Sequence, residues 1–175
     1  NHVPSTLTEV IVTGGTKIGA DAFYGCKYIT DITLPSGLTS VGADAFESCA
    51  GLKNVYFNGT LEEWCNIKFN SSLSNPMYYA TSLQMKDSND EYYEVTEIEV
   101  PETITKIGAY QFYSVEKLTK AIIPSSVTSI GYQAFYNCSS LTSVVIGDGV
   151  TSIGNSAFSN CPIENAVIPT IAIPH

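Results

Sequence analysis

Histidine, the usual general base near neutral pH, occurs only at His2 and His175, the two ends of a 175-residue chain. A Ser-His or Cys-His nucleophile pair, or a histidine-rich metal site, therefore has no base or ligand within the body of the sequence. Five cysteines remain as candidate nucleophiles or ligands. Cys26, Cys49, Cys138 and Cys161 each stand three residues after a phenylalanine in a recurring segment. Zinc sites and redox motifs instead set cysteines a few residues apart. The equivalent position after Phe112 is Val115, so the column accepts a small apolar side chain, and the cysteines are expected to be free thiols packed as small hydrophobes. Cys65 is an extra, unpaired in sequence, and receives the same reading. Asp87-Ser88-Asn89-Asp90-Glu91 has the oxygen donors of a calcium loop but lacks the central glycine and the distal bidentate glutamate. It reads as a solvated turn. No catalytic residue, metal ligand or cofactor-binding residue is expected, and the chain is read as a non-enzyme.

These segments recur because the sequence is repetitive. Phe23, Phe46, Phe69, Phe112, Phe135 and Phe158 lie 23, 23, 43, 23 and 23 residues apart, which is a 23-residue repeat with one insertion of 20. A fixed period of this size marks stacked units that share one continuous core. Each unit opens on an apolar residue (Leu7, Ile29, Leu52, Val95, Leu118, Leu141, Ile163), followed three and five residues later by an inward pair such as Ile32/Leu34 or Val144/Ile146. That alternation is a short strand with one buried face, closed by Pro35, Pro101, Pro124 or Pro169. Seven such strands are expected to stack in one parallel sheet. A second apolar pair follows (Leu38/Val41, Ile104/Ile107, Val127/Ile130, Val150/Ile153), with glycine next at Gly42, Gly108, Gly131 and Gly154. Glycine there predicts either positive φ or close backbone approach. The Ala-Phe-x-x-Cys segments then put Phe and Cys on one side of a single helical or 3₁₀ turn.

The run Leu118 to Cys138, read as L-T-x-x-x-I-P-x-x-V-T-x-I-G-x-x-A-F-x-x-C, resembles the BspA-like leucine-rich repeats of bacterial surface proteins. The resemblance extends over almost the whole chain. It implies an α/β, mainly β leucine-rich-repeat solenoid of about seven repeats, right-handed, with a parallel sheet on the concave side and short helical or 3₁₀ turns on the convex side. It also implies an extracellular or cell-surface setting and roles in adhesion or host-protein binding. It implies no active site, since the shared residues are core and turn positions.

The third unit departs from the pattern. Trp64 is read into the Ile/Val column, Cys65 into the glycine column and Ser72 into the cysteine column. An insertion at about 75–94 follows, with Ser82 to Met85 and Tyr92 to Val95 flanking a polar turn, the signature of a hairpin. It is expected to project from the solenoid. The chain is otherwise one domain over 1–175, read as a piece of a longer protein because it opens at Asn1 on an already repeating pattern.

Charge narrows the partners. The formal net charge is −9, from 17 acidic residues against 8 lysines and no arginine. Nucleic acids and anionic membrane surfaces are poor partners for such a chain, and no apolar run is long enough for a transmembrane helix. Seven of the 17 acids lie between Asp87 and Glu102. The partner-binding site is placed on the sheet face beside the insertion, at Asn54, Tyr56, Tyr92, Tyr93, Glu97 and Glu99, where Asn54 and Tyr56 are expected to adjoin Glu97 and Glu99 across one rung. Aromatic anchors there would dominate the interface, and the acids would draw a basic protein surface. The alternatives are a glycan-binding module, using exposed tyrosines such as Tyr24, Tyr113 and Tyr136 in one plane, and a structural spacer.

Overall fold

The computed structural model describes residue 4 and residues 6–169; His2 and His175 lie outside the described residues. The chain is a solenoid of stacked turns. In each regular turn a main strand precedes a short lateral one: β1 (Glu9–Ile11) and β2 (Lys17–Ile18), β3 (Asp31–Leu34) and β4 (Ser40–Val41), β5 (Asn54–Phe57) and β6 (Lys68–Phe69). After the insertion the order resumes with β9 (Glu97–Glu99) and β10 (Lys106–Ile107), β11 (Lys120–Ile123) and β12 (Ser129–Ile130), β13 (Ser143–Ile146) and β14 (Ser152–Ile153), ending on β15 (Asn165–Val167). The second member of the repeat's second apolar pair thus lies on a strand of its own. Lateral strands stack in parallel, with Lys17 opposite Ser40 and Ile107 opposite Ile130. Two-residue strands carry too little alternation to be told from turns in sequence.

The repeat's fixed columns each have a physical cause. Inward residues of the main strands, such as Ile32, Val55, Ala121 and Val144, sit opposite one another in register and are buried. The phenylalanines stack at 5.2 Å (Phe23–Phe46), 5.0 Å (Phe112–Phe135) and 5.1 Å (Phe135–Phe158), nearly parallel in each pair. Threonine at the entry to many of the strands spans rungs, with Thr119 Oγ1 donating to the Thr96 carbonyl (2.9 Å) and Thr128 Oγ1 to that of Thr105 (3.1 Å). The glycine column answers to close approach: a Cβ on Gly42 would lie 2.3 Å from the Ala20 nitrogen, and one on Gly131 2.5 Å from that of Ala109.

The Ala-Phe-x-x-Cys segments are hydrogen-bonded turns rather than helical ones. Residues two before and two after the phenylalanine take positive φ, as at Gln133 (51°) and Asn137 (59°). Their N–H groups donate to the next turn, Gln133 to Asn155 (3.1 Å) and Asn137 to Ser159 (2.9 Å). Backbone groups satisfied between rungs leave no need for a local helical ladder.

The insertion changes the architecture more than sequence predicted. Strand β7 (Ser82–Lys86) does not project; it pairs parallel with β5, Val55 opposite Leu83 and Phe57 opposite Met85, and adds a rung to the main face. It turns back through the expected hairpin into β8 (Tyr92–Glu94), antiparallel to it. A bend at Thr96 then leads into β9. The single sheet expected on this face is therefore two, ordered β1-β3-β5-β7-β8 and β9-β11-β13-β15. The third unit's columns also shift. Phe69 pairs with Val41 and so holds the lateral-strand column, outside the phenylalanine ladder. Asn70 donates to the Val41 carbonyl where Gly42 donates to that of Ile18, and Phe46 donates to Leu73, which puts Ser74 at the ladder position and Met77 at the cysteine position. Trp64 belongs to a short helix, α1 (Leu61–Cys65), capped reciprocally by Thr60 and Glu63. Its ring fills the third layer edge-on to Phe57 at 5.3 Å and tilted against Phe69 at 5.5 Å.

Phe135 stacks on rings in both neighbouring turns and is wholly buried. Phe135→Ala is expected to cost about 3–5 kcal/mol through the cavity it leaves, read as a lowered thermal midpoint; an unchanged melt would put the ladder outside the core.

Candidate recognition surfaces

The hairpin brings part of the sequence-predicted site together and separates the rest. Side chains alternate across a strand, so Tyr56, paired with Gln84, shares the outer face with Lys86 and its partner Tyr92. The Tyr56 and Tyr92 rings meet edge-to-face at 5.2 Å, an arrangement aromatic pairs favour. Tyr92 donates its hydroxyl to Asn58 Oδ1, and Lys86 Nζ lies 5.5 Å from the Tyr92 ring while holding Asp90 at 2.6 Å. Tyr93, paired with Met85, belongs to the opposite side of the hairpin. Asn54 is half-buried and donates to Asp31 Oδ1 at 2.8 Å. A bond from the Thr30 hydroxyl, together with that from Asn54, holds the Asp31 carboxyl below the usual aspartate range.

Glu97 and Glu99 do not adjoin Asn54 and Tyr56. They pair with Lys120 and Ile122 in the second sheet, because β7 and β8 occupy the intervening positions. Both glutamates are exposed. Glu99 borders a groove of about 510 Å³ shared with Ile122, Pro124, Val145 and Gly147, so the outward apolar column of the later units lines a depression. The acid closest in function to the hairpin is one the sequence reading passed over: Glu94 receives Ser82 Oγ and Lys117 Nζ, each at 2.9 Å, and so ties β7 to the following turn. Nothing in the linear pattern links Glu94 to Lys117, since that contact exists only after the hairpin folds.

On the turn side, tyrosines from three segments converge. Tyr113 stacks against Tyr136 (5.2 Å) and Tyr78 (5.7 Å), and Tyr110 packs edge-on to Tyr132 (5.6 Å). Burial, aided by the neighbouring phenols, pushes the Tyr113 hydroxyl up to about 12. Tyr24 stands apart and exposed. Sugar stacking needs open ring faces, yet in the Tyr78–Tyr113–Tyr136 column the faces cover one another, which weakens the glycan alternative.

The cysteine column has a specific role. Cys49, Cys138 and Cys161 donate their thiols to the carbonyls of Phe23, Phe112 and Phe135, one turn earlier, at 3.0–3.1 Å. All five cysteines are free. Burial pushes Cys49 up to about 11 and Cys65 up to about 12, and raises Cys138 well above the usual thiol value, whereas the neighbouring Cys138 lowers the half-buried Cys161. Among the described residues no group of three His, Cys, Asp or Glu side chains could hold a metal ion, and no helix is long and apolar enough to cross a membrane.

These repeats match the BspA type leucine rich repeat region, in six copies over residues 5–89 and 88–173. The chain belongs to that family, a non-catalytic repeat fold. Among solved structures it is similar to a leucine rich cell surface protein from Faecalibacterium prausnitzii, with a TM-score of 0.54 and 24% identity over 92% of this chain and 47% of the other. It is similar also to a leucine-rich repeat protein from Bacteroides ovatus, with a TM-score of 0.54 and 22% identity over 94% of this chain and 38% of the other. The chain spans less than half the length of either. No curated protein matches it in sequence.

Only the thiolate alkylates, so the cysteines should react in an order set by these environments. Under limiting iodoacetamide at pH 8, peptide mass spectrometry is expected to find Cys161 labelled first and Cys65 and Cys138 unlabelled until the protein unfolds. Equal labelling of all five in the native protein would contradict the burial described.

Proposed function

We propose that this chain is a non-enzymatic protein-recognition module of a bacterial cell-surface protein, and that it binds through the main-sheet face at and beyond the hairpin. The observation that carries the reading is the Tyr56–Tyr92 pair, an aromatic anchor set on paired strands rather than on a loop. Tyrosine held rigidly offers large contact area at low entropic cost. Exposed Glu97 and Glu99 extend the face toward the groove bordered by Ile122 and Val145. Tyr93, on the hairpin's other side, serves as a flanking contact, and Asn54 fixes the edge of the anchor through Asp31. A chain carrying −9 suits a basic partner surface. The surface location draws on the Faecalibacterium relative, described as a cell surface protein, and the protein partner on the family's repeat architecture, which exposes a long regular surface.

The test uses an array of extracellular proteins of basic and acidic character. Binding is expected to be confined to basic members and to weaken between low and physiological salt. The double change Tyr56→Ala and Glu99→Lys should reduce affinity by roughly tenfold or more, with an unchanged melt. Binding that ignores both salt and the double change would place recognition elsewhere.

A further inference from the structure

Every main strand but one within the array is followed by a lateral strand, and the exception is β7. The hairpin returns the chain directly to the main face, so the lateral side of that rung is vacant. Lateral sheets β2-β4-β6 and β10-β12-β14 consequently end in two edges, β6 and β10, that flank one cavity of about 380 Å³. Its floor is fixed by paired contacts across the joint: Trp64 Nε1 donates to the Gln111 carbonyl (2.9 Å), Gln111 Nε2 donates back to the Trp64 carbonyl, and Asn75 Nδ2 donates to the Tyr110 carbonyl (2.8 Å). The two halves are held in place around the slot.

Three independent features show what the slot would accept. The first is Gly108. Its counterparts Gly42, Gly131 and Gly154 have the backbone of the preceding turn within 2.3–2.6 Å of where a Cβ would lie; Gly19, in the first described turn, has nothing within 4 Å, and a Cβ on Gly108, inside the array, would be close only to Gln111 Oε1, at 2.9 Å. Glycine stands where a backbone would have to pass, and no backbone passes there. The second is Gln111 itself, wholly buried, with Oε1 lacking a partner. Buried acceptors are seldom left unpaired. The third is charge and alternation. Exposed Lys68 and Lys106 stand at the outward position of the two edges, and buried Phe69 and Ile107 at the inward position. Glu62, on the helix preceding β6, is already bonded by Thr103 Oγ1 at 2.8 Å.

We infer that the vacant lateral rung is a docking slot for an extended segment of a partner protein, entering as a strand between β6 and β10 with an acidic residue outward between Lys68 and Lys106 and an apolar residue inward between Phe69 and Ile107. Strand addition to an open sheet edge is an established mode of peptide recognition, with main-chain bonds supplying affinity and alternate side chains specificity. Here both edges would gain a partner at once. The slot lies on a different side of the turn from the Tyr56–Tyr92 face and does not depend on it.

The probe is an array of blocked hexapeptides of the pattern Ser-Val-Glu-Val-Ser-Thr, varied at the two valines, with a second set carrying Lys for Glu. Isothermal titration on the full chain is expected to show binding by members of the first set and none by the second. Lys68→Glu with Lys106→Glu should lower that affinity by roughly tenfold or more, as loss of complementary charge does. Gly108→Val should abolish it by filling the backbone path. Tyr56→Ala with Glu99→Lys should leave it unchanged, which separates this slot from the sheet-face reading. Melting curves confirm that each variant is folded, and Lys68→Gln with Lys106→Gln gives a milder pair should charge reversal unfold the protein. The proposal is overturned if no peptide of the first set binds, or if binding is indifferent to the lysine changes and to Gly108→Val.

Discussion

The fold rests on one constraint: no turn can satisfy its own backbone. Each strand is too short to close a sheet, and the turn around each ladder phenylalanine sends alternate N–H groups to the next turn, as Phe112 does to Ala134 (2.7 Å) and Phe135 to Ala157 (2.7 Å). Register follows from this. Once the carbonyls of one rung must meet the amides of the next, side chains repeat directly above one another. A ring must then sit on a ring, a threonine hydroxyl on a threonine carbonyl, and a cysteine thiol on a phenylalanine carbonyl. Stability in such arrays is carried by contacts between neighbours.

The same constraint explains why the insertion is costly to accommodate. A 20-residue addition cannot loop out freely where each rung depends on the next, and the chain resolves it by making a rung of half the insertion. Strand β7 continues the main sheet from β5. Trp64 packs in this layer against Phe57 and Phe69, and its indole N–H, which needs a buried acceptor, finds it in the Gln111 carbonyl. Gln111 stands where the regular units have alanine, and its side-chain amide adds a bond to the Trp64 carbonyl to those that join the halves through backbone carbonyls.

Much of this was legible in the sequence and some was not. The phenylalanine spacing, the strand alternation and the proline stops describe the regular units because each repeats with one unchanging neighbour. The hairpin at Ser82–Lys86 and Tyr92–Glu94 was legible from its polar turn. Its incorporation as a rung was not, since nothing local separates a projecting hairpin from one whose first strand joins the sheet. Counting by period misassigned Phe69, because α1 consumes residues that other units spend on a turn, and the pairing of Lys68–Phe69 with Ser40–Val41 appears only in three dimensions. The predicted adjacency of Tyr56 and Glu99 failed for the same reason: it assumed that consecutive units are consecutive rungs. Tyr56 and Tyr92 were both named from sequence, but their contact follows from the hairpin register.

The insertion adds the β7 rung to the main face and leaves the lateral side vacant by one strand. Residue-resolved amide hydrogen exchange tests it directly. Gly42, Gly131 and Gly154 donate to the carbonyls of Ile18, Ile107 and Ile130 at 2.8–2.9 Å, while the Gly108 N–H finds no acceptor among the described residues. Slow exchange is expected at Gly131 and its two bonded counterparts and fast exchange at Gly108, with the β7 amides protected like those of β5. Protection of Gly108 equal to that of Gly131 would show that β6 and β10 are bridged, and would contradict the vacancy.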